Sequence, residues 1–415
     1  LKFLAALMTL AFLLAPSNFA APKKKKKPTT PPPPAFSQAA LDEIQDRAAN
    51  GPGALENGAA LVPFFEQILH PIEGGSVHAL QYGDSHTASD DWANAMRVAF
   101  QAKFGPGGPG FAFAGHPYKG YRRFDVSGAN TLGWETDGTT GHPGDGRLGL
   151  GGVSITSHHT NDIVTFDAES DSIRLFYLRQ PGGGEFVVSV DGATVRSVST
   201  DGESAAAYLP LEIGPGLHHY SLRTTGMRPV RLFGWAADKQ SGITYETLGI
   251  NGAQAPMILD WDEAVFASNM DARKPALIVL EYGTNESLNP RFTVDGYRQQ
   301  FAQVLAKIRR AAPLASILVV GPPDCLKTMR PLPHIEDVIA IQRAVAAEAG
   351  CAFWDWRARM GGPGSVRTWA RAGLGQPDYI HMTTAGYRLT AAMLFQELMQ
   401  QYDRYVTVRS ELNVK

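Results

Sequence analysis

The sequence predicts an α/β fold: a doubly wound, five-stranded parallel sheet interrupted by an inserted antiparallel β-sandwich. Three observations carry this. Residues 36–105 hold one strand pattern among helical ones, too little to bury a core alone. Residues 106–241 hold short β runs and no helical period. Residues 242–405 alternate strands with helices, the pattern of right-handed crossovers in a parallel sheet covered on both faces. The first and third pieces therefore complete one another around the middle one.

The elements follow in order. Lys2, an apolar run from Phe3 to Ala15, and small residues up to Ala20 have the form of a signal peptide over residues 1–20. That implies export to a bacterial periplasm or beyond, with no stable membrane span after cleavage. Residues 21–35, with "KKKKKPTTPPPP", read as an extended, self-repelling linker. Ser37 is placed to cap a first helix, and "ALVPFFEQIL" gives a second with proline in its first turn. "SVHALQY" is a short buried strand. "SDDWANAMRVAFQAKFG" is an amphipathic helix with an acidic start and a glycine stop, Gly105. "GPGGPGFAFAGHP" reads as a turn-rich entry to the insert, and "GYRRF" (Gly120 to Phe124) is placed to border the cleft. Seven separate short strands follow: "DIVTFDA", "SIRLFYLRQ", "EFVVSVDG", "ATVRSVST", "AAYLPLEIG", "LHHYSLRTT" and "VRLFGWAAD". Beyond Gly242 come strands "ITYETLGI", "PALIVLEYG", "ASILVVGPP" and "CAFWDW". The helices between and after them cover 253–268, 293–312, 335–349 and 383–402, and 406–415 reads as a tail.

With 44% hydrophobic and 19% charged residues and a net charge of −2, the chain is ordinary for a globular protein and lacks the basic field that draws nucleic acid. Cys325 lies beyond the carboxyl end of the fourth strand and Cys351 opens the fifth. Parallel strands would then put them at opposite ends of the sheet, so both are expected as free thiols.

Ligands collect at the carboxyl ends of parallel strands. Ser85 sits at such an end, as do Gly252 and Asn285, and Asp378 and His381 lie just before the last helix. A serine hydroxyl attacks poorly until a histidine takes its proton, and the histidine needs a carboxylate to hold its tautomer. The oxyanion that forms needs donors, which a glycine N–H and an asparagine amide supply. His86 reads as a first-turn residue satisfied locally. "SHH" (Ser157 to His159) and "LHHY" (Leu217 to Tyr220) lack partners at ligand spacing, so no metal is expected. Trp354 and Trp356 read as core positions of the fifth strand.

Four segments, "GDSHT" (83–87), "NGAQ" (251–254), "GTNE" (283–286) and "DYIH" (378–381), resemble in order the four blocks of the SGNH (GDSL-type) hydrolase superfamily. The resemblance implies a sheet order of 2-1-3-4-5, Ser85 as nucleophile, and His381 as base oriented by Asp378. It also implies an oxyanion hole from the Ser85 and Gly252 N–H groups and the Asn285 side chain, without a cofactor. Glu286 stands where many members have aspartate. "LQYGDSHTASD", "FGPGGPGF", the β insert and "YETLGINGAQ" further resemble periplasmic peptidoglycan O-acetylesterases, whose β domain is carbohydrate-module-like. The implied activity is removal of O-acetyl groups from an envelope glycan, most simply peptidoglycan, with the insert positioning the polysaccharide. The alternatives are an esterase or O-acetyltransferase acting on another exported polysaccharide, and a glycan-binding protein without catalysis.

Overall fold

A computed structural model describes residues 32–71 and 75–412. The expected signal segment and most of the linker lie outside the described residues. Helix α1 (Gln38–Asn50) is capped as predicted, the Ser37 hydroxyl accepting from the Ala40 N–H. A two-residue strand, β1 (Leu55–Glu56), leads through a 3-10 turn to α2 (Val62–Leu69). There Pro63 sits in the first turn, where its missing N–H costs nothing. Strand β2 (Val77–Gly83) runs into a single helical turn, α3 (Ser85–Ala88), and then α4 (Asp91–Phe104). Gly105 ends α4 at φ 90°, a conformation natural only to glycine.

The middle of the chain forms β3 (Gly110–Phe113), β4 (Ser127–Asn130), β5 (Trp134–Asp137), β6 (Ser154–Ser157), β7 (Ile163–Arg179), β8 (Glu185–Val190), β9 (Ala193–Ser199), β10 (Ala205–Thr224) and β11 (Val230–Asp238). Their pairing is antiparallel and joins all nine strands into one connected sheet, which bears out the antiparallel insert and leaves its division into the two sheets of a sandwich unshown. The strands differ from the sequence reading in β7 and β10, 17 and 20 residues long, each of which fuses two of the predicted short strands. They pair with each other along nearly their whole length, with a register shift between Glu212 and Gly216. "GPG" at 214–216 reads as a turn in sequence, yet it serves as an irregularity inside a continuing strand. Along its other edge β7 pairs first with β4 and then with β11. Phe166 of β7 stacks on Trp235 of β11 at 5.8 Å, and one apolar core draws on both halves of the sheet. The stretch read as a turn-rich entry contains a strand as well, β3.

Past the insert come β12 (Ile243–Gly249), α5 (Glu263–Arg273), β13 (Leu277–Glu281), α6 (Val294–Ala311) and β14 (Ser316–Val320). A small hairpin, β15 (Leu326–Lys327) and β16 (Arg330–Pro331), precedes α7 (Ile335–Glu348) and β17 (Ala352–Trp354). Helices α8 (Trp356–Met360), α9 (Ser365–Arg371) and α10 (Thr384–Glu411) follow. The sheet order is β12-β2-β13-β14-β17, all parallel, which is the 2-1-3-4-5 order expected. Strand β1 adds an antiparallel edge beside β17.

Three boundaries differ from the sequence reading. The helix expected over 253–268 splits into a 3-10 stretch, Ala255–Asp260, and α5, because the Asp262 carboxylate accepts from the Val265 N–H and starts a new helix. The fifth strand stops at Trp354, since Asp355 caps α8 through the Ala358 N–H. Helix α10 continues to Glu411 and takes in most of the expected tail. Trp354 and Trp356 are both buried, as predicted. Cys325 and Cys351 are both buried and unpaired.

The second sheet is not an appendage. Phe111, Phe113, Leu150, Phe176 and Phe233 share one apolar cluster with Leu80, Leu248, Ile278 and Leu280 of the parallel sheet. Buried charges reinforce the joint. Arg273 of α5 bonds Asp238 of β11 at 2.6 Å and Glu246 of β12 at 2.8 Å. Arg97 of α4 lies 3.2 Å from Asp125, and the Phe124 N–H donates to Asp90 at 2.8 Å. These contacts fix the insert against α4 and α5.

Candidate active site

The serine's position follows from local geometry. β2 must turn sharply into α3, and Gly83 makes this possible: a Cβ there would lie 2.2 Å from Thr87 Oγ1 and 2.7 Å from Glu281 Oε2. Asp84 caps the turn, its Oδ1 accepting from the His86 N–H at 2.9 Å. Ser85 Oγ then stands 2.8 Å from His381 Nε2, although 296 residues separate them in sequence.

On the other side of the imidazole, His381 Nδ1 is 2.7 Å from Asp378 Oδ2. The Asp378 Oδ1 accepts the N–H groups of Ile380 and His381 at 2.9 and 3.0 Å. A single carboxylate thus closes the loop and orients the ring. Burial raises the Asp378 pKa, but the His381 ring and these two N–H donors outweigh it and hold the carboxyl at about 2. Burial lowers the His381 pKa, but the hydrogen bond and charge of Asp378, with Asp84 behind it, lift it above the ordinary imidazole value. With its proton on the Asp378 side, the neutral ring presents the Nε2 lone pair to the serine hydroxyl.

Gly252 follows β12 with φ 76°, in the left-handed region. Asn285 follows β13, and its Nδ2 donates to Asp84 Oδ2 and to the Ala253 carbonyl, both at 3.0 Å. Both of its hydrogens are engaged in this state, so donation to a bound oxyanion requires one contact to be shared or exchanged. Glu286, in the position of the usual aspartate, accepts the Ala255 N–H at 2.8 Å and so fastens the second motif segment to the third. Burial raises the carboxyl pKa of Asp84 to about 6 and of Glu286 to about 7.

Several residues differ from their sequence reading. His86 is fully buried and is not satisfied locally: its Nδ1 lies 2.8 Å from the Tyr387 hydroxyl of α10, and its ring sits 5.2 Å from that of His381. No sequence signal linked it to Tyr387, 301 residues away. His218 and His219 do have carboxylate partners, Asp191 at 2.8 Å and Asp167 at 2.5 Å, supplied by a neighbouring turn and strand that spacing along one segment does not reveal. Among the described residues no group of three or more His, Cys, Asp or Glu side chains is placed to hold a metal ion.

Ser85 and His381 open into a cleft of about 460 Å³ that Asn251, Gln376, Tyr387 and Arg122 also line. Arg122 comes from the insert, within the "GYRRF" segment expected near the cleft, and its guanidinium is 3.8 Å from Asp91. No helix among the described residues is long and apolar enough to cross a membrane.

The model of the GDSL-like lipase/acylhydrolase family matches residues 218–389, a span that includes Gly252, Asn285, Asp378 and His381 but not Ser85. The structure of a peptidoglycan O-acetylesterase is similar with a TM-score of 0.74 and 27% identity, covering 85% of this chain and 100% of that one. A family two carbohydrate esterase from Cellvibrio japonicus has 11% identity and a TM-score of 0.29 over 68% of this chain and 99% of its own, a likeness too slight to carry an argument. No curated protein sequence matches the chain.

Proposed function

The chain belongs to the GDSL-type (SGNH) hydrolases and is a carboxylic ester hydrolase, and from that premise we propose that it removes O-acetyl groups from an envelope glycan, most simply peptidoglycan, outside the cytoplasmic membrane. The observation that supports this reading most is the unbroken relay from Ser85 through His381 to Asp378 at the end of β2. The likeness to a peptidoglycan O-acetylesterase over most of the chain supports the substrate.

In the proposed reaction, His381 Nε2 takes the Ser85 proton as Oγ attacks the acetyl carbonyl. The N–H groups of Ser85 and Gly252 and the Asn285 amide stabilise the tetrahedral oxyanion. As the bond from the acetyl carbon to the sugar oxygen breaks, His381 gives the proton to that oxygen, and an acetyl-serine remains. Water, deprotonated by the same imidazole, then attacks the acetyl carbon; the bond to Ser85 Oγ breaks, acetate leaves, and His381 returns the proton to Oγ. Asp378 stays ionised throughout.

The test is acetate release from purified O-acetylated peptidoglycan beside an O-acetylated plant polysaccharide and an exopolysaccharide. A clear preference for peptidoglycan is expected, and a preference for either of the others overturns the choice of glycan. The pH profile checks the base. Protonated His381 cannot accept the serine proton, so kcat/KM falls as pH drops through the His381 pKa. Asp378 raises that pKa, so the fall should begin above pH 6.5, the ordinary imidazole value. A rate on p-nitrophenyl acetate that stays flat well below pH 6 would exclude His381 as the base.

A further inference from the structure

A second cleft, about 940 Å³, lies beside the one that holds Ser85. The two are lined by consecutive residues of one loop: Asn251 lines the first and Gly252 the second. One wall of the larger cleft is the insert loop 138–146. The other is the 3-10 stretch Ala255–Asp260, with Arg291 and with Gln300 of α6. Each cleft therefore has a wall from the second sheet and a wall from the parallel-sheet layer.

The loop wall is built in place. The Gly138 N–H donates to the His142 carbonyl at 2.7 Å, and the Asp262 N–H donates to the Gly146 carbonyl at 2.7 Å. Asp145 is 2.7 Å from Arg231. Gly146 lies so near the opposite wall that a Cβ there would come within 2.5 Å of the Asp260 carbonyl. Thr140 reaches over Gly252, with its Cγ2 3.6 Å from where a Cβ on that glycine would be.

The lining chemistry selects a ligand class. Gln254, Gln300, Thr139 and Thr140 offer both donors and acceptors, and Arg291 and Asp260 add charge of each sign beside Asp145, which is paired with Arg231. Leu148, Met257 and Leu259 supply apolar patches between them. A fatty acyl chain would leave these amides and hydroxyls unpaired, whereas sugar units present hydroxyls to the polar groups and C–H faces to the apolar ones. Clefts of ~300–1,000 Å³ are of the size that encloses such ligands.

We propose that the two clefts form one groove for a glycan strand: the acetylated sugar sits over Ser85, and its neighbours along the chain sit between loop 138–146 and α6. This rests on the ester-hydrolase reading with a glycan substrate and assigns the subsite for the rest of the polymer. Contacts in the larger cleft then contribute binding energy to the polymer that a small ester cannot use.

Gln300 is on the exposed face of α6, so Gln300→Trp fills the groove without disturbing a buried contact. The measurement is kcat/KM for acetate release from O-acetylated peptidoglycan and for p-nitrophenyl acetate. A loss of about tenfold or more on the polymer, with the small ester nearly unchanged, is expected. Equal loss on both substrates, or loss on neither, overturns the groove. Arg291→Ala, an exposed loop side chain, repeats the comparison if the tryptophan variant does not fold. The wild-type rate on peptidoglycan separates the two ideas. A wild type that spares peptidoglycan overturns that substrate, and the same comparison is then read on the O-acetylated polysaccharide it does process.

Discussion

Ser85→Ala should lose ester hydrolysis on small and polymeric substrates alike, by about 10⁶ in kcat, the order found when a triad serine is removed. The hydroxyl's one described partner is His381 Nε2, at 2.8 Å. Its loss leaves the Asp378–His381 pair, the cap at Asp84 and the buried residues of α3 untouched. Folding should therefore be unchanged, with a circular dichroism spectrum and Tm like those of wild type. The remaining imidazole would still polarise a water molecule, but no acetyl-enzyme can form. Mass spectrometry of enzyme quenched with excess p-nitrophenyl acetate should show an added acetyl group on the wild type and none on the variant. Full activity in the variant would place the nucleophile elsewhere.

The motif segments were legible because each is local. A strand, a glycine turn and a serine follow one another within a few residues, and the Asp378 carboxylate accepts the N–H groups of Ile380 and His381, two and three residues further on. The parallel sheet was legible because strands buried on both faces read as apolar runs, as in "LIVLE" of β13. What depended on distant partners was not. A Gly-Pro-Gly segment reads as a chain reversal until its neighbouring strand is known, which is why β10 was divided, and the polar Glu169, Ser170 and Asp171 divided β7 in the same way. His86 needed Tyr387, and His218 and His219 needed the turn and strand beside β10. The Asn285 motif identified a donor residue but not that Asp84 and Ala253 hold its amide at rest. The shared core beneath the insert was also hidden, because apolar residues on two strand sets carry no label saying which face meets which. That core bears on experiment. Cutting out the second sheet would expose Leu80, Leu248 and Leu280, so the insert's role is better probed by point substitutions in its loops.

Asp378→Asn is the second large loss, and the geometry dictates its cause. Asp378 Oδ1 accepts two backbone N–H groups, and Oδ2 accepts from His381 Nδ1. An asparagine side chain has one acceptor oxygen. Two backbone donors compete for it against one ring donor, so the carbonyl oxygen takes the Oδ1 place and the NH₂ group turns toward the imidazole. The ring then accepts at Nδ1 and carries its proton on Nε2, pointing at Ser85 Oγ. A protonated Nε2 cannot remove the serine proton, and the imidazolium that would form has lost its counter-charge. The expected fall in kcat is about 10⁴ at neutral pH, the magnitude this tautomer reversal produces in a serine triad. The carboxylate also raises the His381 pKa, so its removal should move that pKa down as the rate collapses. Histidine NMR resonances separate the two effects. In the variant the His381 titration should shift to lower pH, and its tautomer should reverse, while the fold and the Ser85–His381 contact persist. A variant that retains most of its kcat would mean that Asp378 does not set the tautomer of His381, and a different acceptor for Nδ1 would have to be found.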